Sequence, residues 1–161
     1  MNAPIMPDIA QFDPPSLDAV ERATALARLY FRPQYVGLEN VDAAQPALYV
    51  SNHTIYGVLD SPLLYEKLYK EKGIVLRSLG DHLHFDVPVW RDILQRGGTV
   101  PGTPENCARL MQTGEHILVY PGGGREVAKR KGEQNKLTWK TRTGFARMAI
   151  EHQYPIIPVA A

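Results

Sequence analysis

The chain holds one cysteine, Cys107, in 161 residues. A single thiol cannot close an intrachain disulfide, so a reducing compartment is expected and the core must carry the fold. Long apolar runs are missing as well. No stretch approaches the roughly 20 consecutive apolar residues that cross a bilayer as a helix. The first residues, MNAPIMPDIAQFDPP, lack the basic start and apolar centre of a secretory signal. Neither charge dominates: the formal net charge is +1. Nucleic acid is therefore not expected as a partner, and any basic surface must be a local patch. Three familiar chemistries lack their signatures. No Gly-x-Ser-x-Gly elbow occurs, no Lys-Ser/Thr pair follows a glycine loop, and no dinucleotide fingerprint follows the first strand. The length fits one domain of ordinary globular composition.

Residues 1–16 carry four prolines and little periodicity, and read as a loose tail before a domain over 17–161. A helix is expected over 17–31, with Leu17, Val20, Ala23, Ala27 and Tyr30 at helical spacing. Ser16 would cap it, Glu21 and Arg28 would face outward, and Pro33 would end it. That helix either packs on the core or lies at a membrane interface, with Arg22, Arg28 and Arg32 near headgroups. Strands are expected over 34–37, 47–51, 74–79, 116–120 and 156–160. The second and last of these are apolar enough to be buried. Helices are expected from Ser61-Pro62 to residue 72, and over 87–95, 104–113 and 141–151. In the last, Phe145, Ala146, Ala149 and Ile150 would point inward. Residues 129–140 read as a basic excursion over the surface. Strands alternating with helices define an α/β class, a largely parallel sheet flanked by helices. The sequence stops inside its last strand, so a C-terminal truncation is expected.

Chemistry is expected at three loops. Ser51-Asn52-His53 follows a buried strand, where the loops of α/β folds carry their sites. A histidine there suits a general base. Asp60, seven residues on, could orient its ring, or could simply cap the next helix. The second loop is Tyr120-Pro121-Gly122-Gly123-Gly124-Arg125-Glu126. Its glycines let backbone N–H groups approach an anion, and Arg125 offers a fork of donors to phosphate or carboxylate. A tight turn with a surface arginine fits the same residues. The third, Gly97 to Asn106, includes Gly98 and Pro101 and could wall a ligand, with Thr103 capping the following helix. Cys107 falls within that helix and is expected to be buried. His82 and His84 with Asp81 and Asp86 lack the spacing of a metal site, and no metal is expected.

The order of these blocks carries more than any one of them. A strand ending in Ser51-Asn52-His53 is followed by the glycine loop at 97–102. After it come Val119-Tyr120-Pro121-Gly122-Gly123-Gly124-Arg125 and Tyr154-Pro155-Ile156-Ile157-Pro158-Val159. Over residues 33–161 this resembles the PlsC-like family of glycerolipid and lysophospholipid acyltransferases. Gly132-Glu133, Lys136-Leu137, Trp139-Lys140 and Gly144-Phe145-Ala146 are similar to its diacylglycerol-acyltransferase-like branch, where Pro-Gly-Gly replaces Pro-Glu-Gly. The resemblance implies His53 as general base on a lipid hydroxyl and Asp60 as its partner. It implies Asn52, Gly98, Pro101, Gly122, Gly123, Gly124, Arg125 and Glu126 as substrate-binding residues. The donor would be acyl-CoA or acyl-carrier protein, with no cofactor, and the protein would be cytoplasmic and peripheral to a membrane surface. Lys129, Arg130, Lys131 and Lys136 would attract CoA phosphates or anionic lipid.

Two departures stand out. The family places its aspartate at the position of Val58, so Asp60 is two residues late. Gly122 stands where the family has glutamate, and the second block has no arginine, which shifts the expected acceptor from glycerol phosphate to a neutral lipid alcohol or lysolipid. A non-catalytic lipid- or acyl-CoA-binding protein of the same fold, or an esterase using water, remains the alternative.

Overall fold

The computed structural model describes residue 9 and residues 11–53, 57–128, 131–133, 136–137, 139 and 141–161, without the side chains of 57–59. Five strands form one parallel sheet: β1 Leu48–Ser51, β2 Leu76–Gly80, β3 Val100–Pro101, β4 His116–Val119 and β5 Ile156–Val159, in the order β3-β2-β4-β1-β5. The helices are α1 Leu17–Phe31, α2 Gly57–Lys72, α3 Pro88–Arg96, α4 Pro104–Gln112, α5 Gly123–Val127 and α6 Gly144–Glu151. The expected α/β class is the observed one. Among the described residues, no helix is long and apolar enough to cross a membrane.

Strand alternation divides the core. Leu48 and Val50 of β1 and Ile117 of β4 face Cys107, Leu110 and Met111 of α4 and Met148 and Ala149 of α6. Tyr49 and Leu118, one residue out of phase, face Val20 of α1 and Tyr65 and Leu68 of α2. Three layers result. The chain leaves β1 through α2 on one face and leaves β4 through α6 on the other. Right-handed crossovers require that change of face when the direction of travel reverses. Because β1 and β4 are neighbours, the reversal opens a crevice between their carboxyl ends.

Several expectations change. Residues 34–37 form no strand, because β1 already has β4 and β5 on its two sides. Val36 is almost fully exposed, and Tyr35 instead donates its hydroxyl to the Leu63 carbonyl at 2.9 Å. β3, hidden in sequence by Gly97, Gly98 and Gly102, pairs with β2 at the sheet edge, where Pro101 costs little because no further strand needs its N–H. β5 is an edge strand with Ile156 exposed, not a buried one, since only β1 pairs with it. α2 begins at Gly57, before Ser61-Pro62, so Asp60 lies in its first turn and is not its cap. In α6 Ile150 is exposed and Met148 is buried in its place. In α1 the inward stripe runs through Val20 and Thr24 rather than Ala23 and Tyr30. A polar tie sets that rotation. Thr24 donates to Glu66 of α2 at 2.7 Å, Arg28 pairs with the same carboxylate, and Lys70 reaches Glu21 at 2.6 Å. Ser16 caps α1 by accepting from the Ala19 N–H, as expected. Ahead of it, Ile9 is buried in the core and Phe12 lies under Arg77.

His116 opens β4, with Nδ1 3.2 Å from the Tyr49 hydroxyl and Nε2 3.3 Å from the Ala43 carbonyl. The carbonyl can only accept, so Nε2 carries the proton and Nδ1 accepts from Tyr49. Burial holds the imidazole below its ordinary value of 6.5, against smaller upward pulls from Ala43, Glu115 and Asp42. The folded state then binds this proton less readily than the unfolded chain does. Its contribution to stability is complete above about pH 6.5 and is lost as pH falls from there through the folded-state value. Denaturant midpoints at pH 7.5 and 5.5 should fall more in the native protein than in His116→Gln. An equal fall in both would assign the acid sensitivity elsewhere.

Candidate active site

β1 ends at Ser51, and His53 stands two residues beyond it, at the crevice between β1 and β4. Its backbone N–H donates to Glu126 Oε2 at 3.0 Å. Its ring stacks on Tyr120, the residue after β4, with centroids 4.5 Å apart and planes 27° from parallel. His53 Nδ1 is buried. The Tyr120 hydroxyl is 2.6 Å from Ser61 Oγ of α2. Burial pushes that phenol up to about 12; Ser61 opposes the shift and the nearby Asp60 carboxylate adds to it. A protonated, sequestered tyrosine therefore forms one wall against the imidazole, tied to α2 at the turn that carries Asp60. In the sequence Tyr120 reads as a strand end opening the glycine loop and Ser61 as the start of a helix, and nothing local marks either as a neighbour of His53.

The glycine segment is not an open loop. Residues 120–123 turn, with the Gly123 N–H on the Tyr120 carbonyl at 3.0 Å, and continue directly into α5. Arg142 clamps the turn from outside, donating to the carbonyls of Pro121 at 3.2 Å and Gly122 at 2.7 Å. Arg125 is half-exposed and stands 3.9 Å from Glu133. Glu126 lies inside, 1% exposed, and its Oε2 also accepts from the Trp139 indole at 3.3 Å.

The remaining expected site residues are spread more widely. Asn52 brackets residue 161: its amide donates to the Ala161 carbonyl and its carbonyl accepts the Ala161 N–H, both at 2.9 Å. This extends the β1–β5 pairing by side chain. Gly98, at φ +86°, turns the chain into β3, and a Cβ there would lie 2.9 Å from the Phe12 ring. Pro101 ends β3, and its carbonyl accepts from the Asn106 amide at 2.9 Å. Thr103 caps α4, as expected. Cys107 is buried, and burial pushes its thiol up. Among the described residues, no three His, Cys, Asp or Glu side chains gather as a metal site. Asp81 caps the turn that carries His82, and His84 accepts from the Trp90 indole at 3.3 Å. Lys131 and Lys136 are exposed, while Lys129, Arg130 and the side chain of Val58 lie outside the described residues.

A doubly wound parallel sheet with Asn-His after β1 and a Pro-Gly-Gly turn after β4, meeting at the switch crevice, defines the class. The family model described as Acyltransferase matches residues 32–161, and the chain belongs to that family. Among its relatives are the "DGAT1/2-independent enzyme synthesizing storage lipids" of Bos taurus, 32% identical over 123 residues. That match covers 76% of this chain and 36% of the relative. "Phytyl ester synthase 2, chloroplastic" of Arabidopsis thaliana is 35% identical over 129 residues, 75% of this chain and 18% of the relative. The chain thus spans about a third or less of the length of these relatives. No solved structure matches it.

Proposed function

We propose that this chain carries an O-acyltransferase centre. It moves a fatty acyl group from acyl-CoA or acyl-carrier protein to a hydroxyl of a glycerolipid, lysophospholipid or other lipid alcohol. One observation carries the reading: His53 sits at the switch crevice, fixed by its backbone to Glu126 and by its ring to Tyr120. A ring nitrogen of His53 takes the proton of the acceptor hydroxyl, and the oxygen attacks the thioester carbonyl. The C–S bond breaks, and the thiolate leaves with the proton returned by His53. Asp60, in the first turn of α2, supplies negative charge beside the Tyr120–Ser61 pair and favours the protonated imidazole formed midway. Arg125, half-exposed beside Glu133, would offer its fork of donors to a phosphate of the donor or acceptor. Relatives named for storage lipid and phytyl ester synthesis support a neutral lipid alcohol as acceptor.

The reaction meets its lipid at a membrane surface. Leu26, Leu29 and Tyr30 of α1 are exposed beside Arg28 and Arg32. An apolar face edged by arginines suits an anionic lipid boundary. The deciding experiment follows thiol release from a panel of acyl thioesters, with and without lipid alcohols and lysolipids. Release that requires an acceptor is expected. Release without one would mean hydrolysis, and binding without release would mean a non-catalytic lipid-binding protein.

A further inference from the structure

Glu126 follows the glycine turn closely enough in sequence to suggest contact with substrate, yet its side chain points into the protein. It is 1% exposed, and one carboxylate oxygen receives two N–H donors: the backbone of His53 at 3.0 Å and the indole of Trp139 at 3.3 Å. A carboxyl at that depth is tolerable only with such donors, and the donors in turn are held where it is. The room for it comes from Gly122, one helical turn earlier. A Cβ on Gly122 would lie 2.5 Å from Glu126 Cβ and 2.6 Å from its carboxyl carbon. Real Cβ atoms do not approach that closely, and moving a Cβ means moving backbone. The backbone at Gly122 is ordinary right-handed helix, φ −67° and ψ −30°. Alanine would suit that conformation, so the requirement for glycine comes from Glu126 and not from the turn.

We propose that Glu126 is a positioning residue that fixes His53 through its backbone N–H, and that Gly122 is glycine in order to seat it. The inference rests on His53 being the base, as proposed above. The loop after β1 has left the sheet by His53, so its amide no longer belongs to the strand ladder, and Glu126 replaces that anchor from the neighbouring strand's connection. The carboxylate thereby ties the β1 loop to the β4 turn across the crevice. Arg142 grips the carbonyls of Pro121 and Gly122 from the other side, so the element bearing Glu126 is itself held.

Four variants test this: Glu126→Ala, Glu126→Gln, Gly122→Ala, and Gly122→Ala with Glu126→Ala. Each is assayed for acceptor-dependent thiol release and for exchange of the His53 amide proton by NMR. Glu126→Ala should lower kcat about tenfold to a hundredfold, as loss of orientation does, with KM for the acceptor within about twofold, and its His53 amide should exchange faster. Glu126→Gln keeps a carbonyl oxygen for both donors and should retain most of kcat and the slow amide. Gly122→Ala should reproduce Glu126→Ala, and the double variant should be no worse than Glu126→Ala alone, because the clash is gone. A raised KM with kcat kept in Glu126→Ala would overturn the proposal in favour of substrate binding. So would Glu126→Gln as impaired as Glu126→Ala, or single effects that multiply in the double. Should the native protein itself show no transfer, the function proposed above fails, and the amide-exchange arm still decides whether Glu126 and Gly122 hold His53.

Discussion

His53→Ala is expected to lower acyl transfer by on the order of 10²–10⁴, the range lost with a positioned general base, while leaving the protein folded. The two halves of that expectation come from different atoms. The imidazole moves the proton, so its loss removes chemistry. The bond to Glu126 is made by the backbone N–H, which alanine retains. Among what the fold gives up is the face-to-face contact with Tyr120, worth about 0.5–1.5 kcal/mol for such ring pairs beyond simple burial. Tyr120 keeps its tie to Ser61. The check is acceptor-dependent thiol release at saturating donor, with thermal unfolding of the same preparation beside it. Turnover within a few-fold of the native protein would remove His53 from the mechanism. An unfolded variant would show that the imidazole also holds the fold.

How much of this centre could be read from the chain depends on whether a signal was local. Leu48-Tyr49-Val50-Ser51 is short, apolar and followed by a polar break, so β1 and the position of His53 could be read directly. Asn106 on the Thr103 cap followed from spacing alone. β3 could not be read, because two residues between glycines carry no period and owe their strand state to β2. The facing of α1 was missed for a related reason. Apolar periodicity cannot register Thr24 and Glu66, which are buried against each other 42 positions apart. Asp60 shows the cost of a misplaced helix start. With α2 beginning at Gly57, Asp60 lies inside its first turn instead of capping it. Glu126 had a usable sign in the sequence, a glycine four residues before a carboxylate. It becomes visible only when residues 123–127 are known to be helical, which three successive glycines argue against.

Arg77→Ala is expected to destabilise the fold by about 3 kcal/mol, a large part of the total stability of a domain this size. Arg77 lies on β2 with its side chain 3% exposed. Nε donates to the Gly98 carbonyl at 3.1 Å, and Nη1 lies 3.2 Å from the Ile9 carbonyl and 3.3 Å from Glu115. The guanidinium also lies over the Phe12 ring, 4.2 Å from its centroid. Alanine removes these partners together. Glu115 is partly exposed and can return to water, so the ion pair is the smaller loss. The carbonyls of Gly98 and Ile9 are where the cost concentrates, since a buried acceptor without a donor loses about 1–3 kcal/mol. Arg77→Met separates the terms, filling the space while supplying no donor, and should recover only the packing share. Urea denaturation of both variants measures this. A midpoint unchanged in Arg77→Ala would mean that the segment around Ile9 and Phe12 is not held by Arg77 in solution. Gly98 opens the turn into β3, and β3 borders β2 at the end of the sheet that carries the crevice. Arg77 thus links Ile9 and Phe12 to the turn into β3. Loss of activity in Arg77→Ala should follow the unfolded fraction as temperature rises, whereas the loss in His53→Ala should be present while the protein is fully folded.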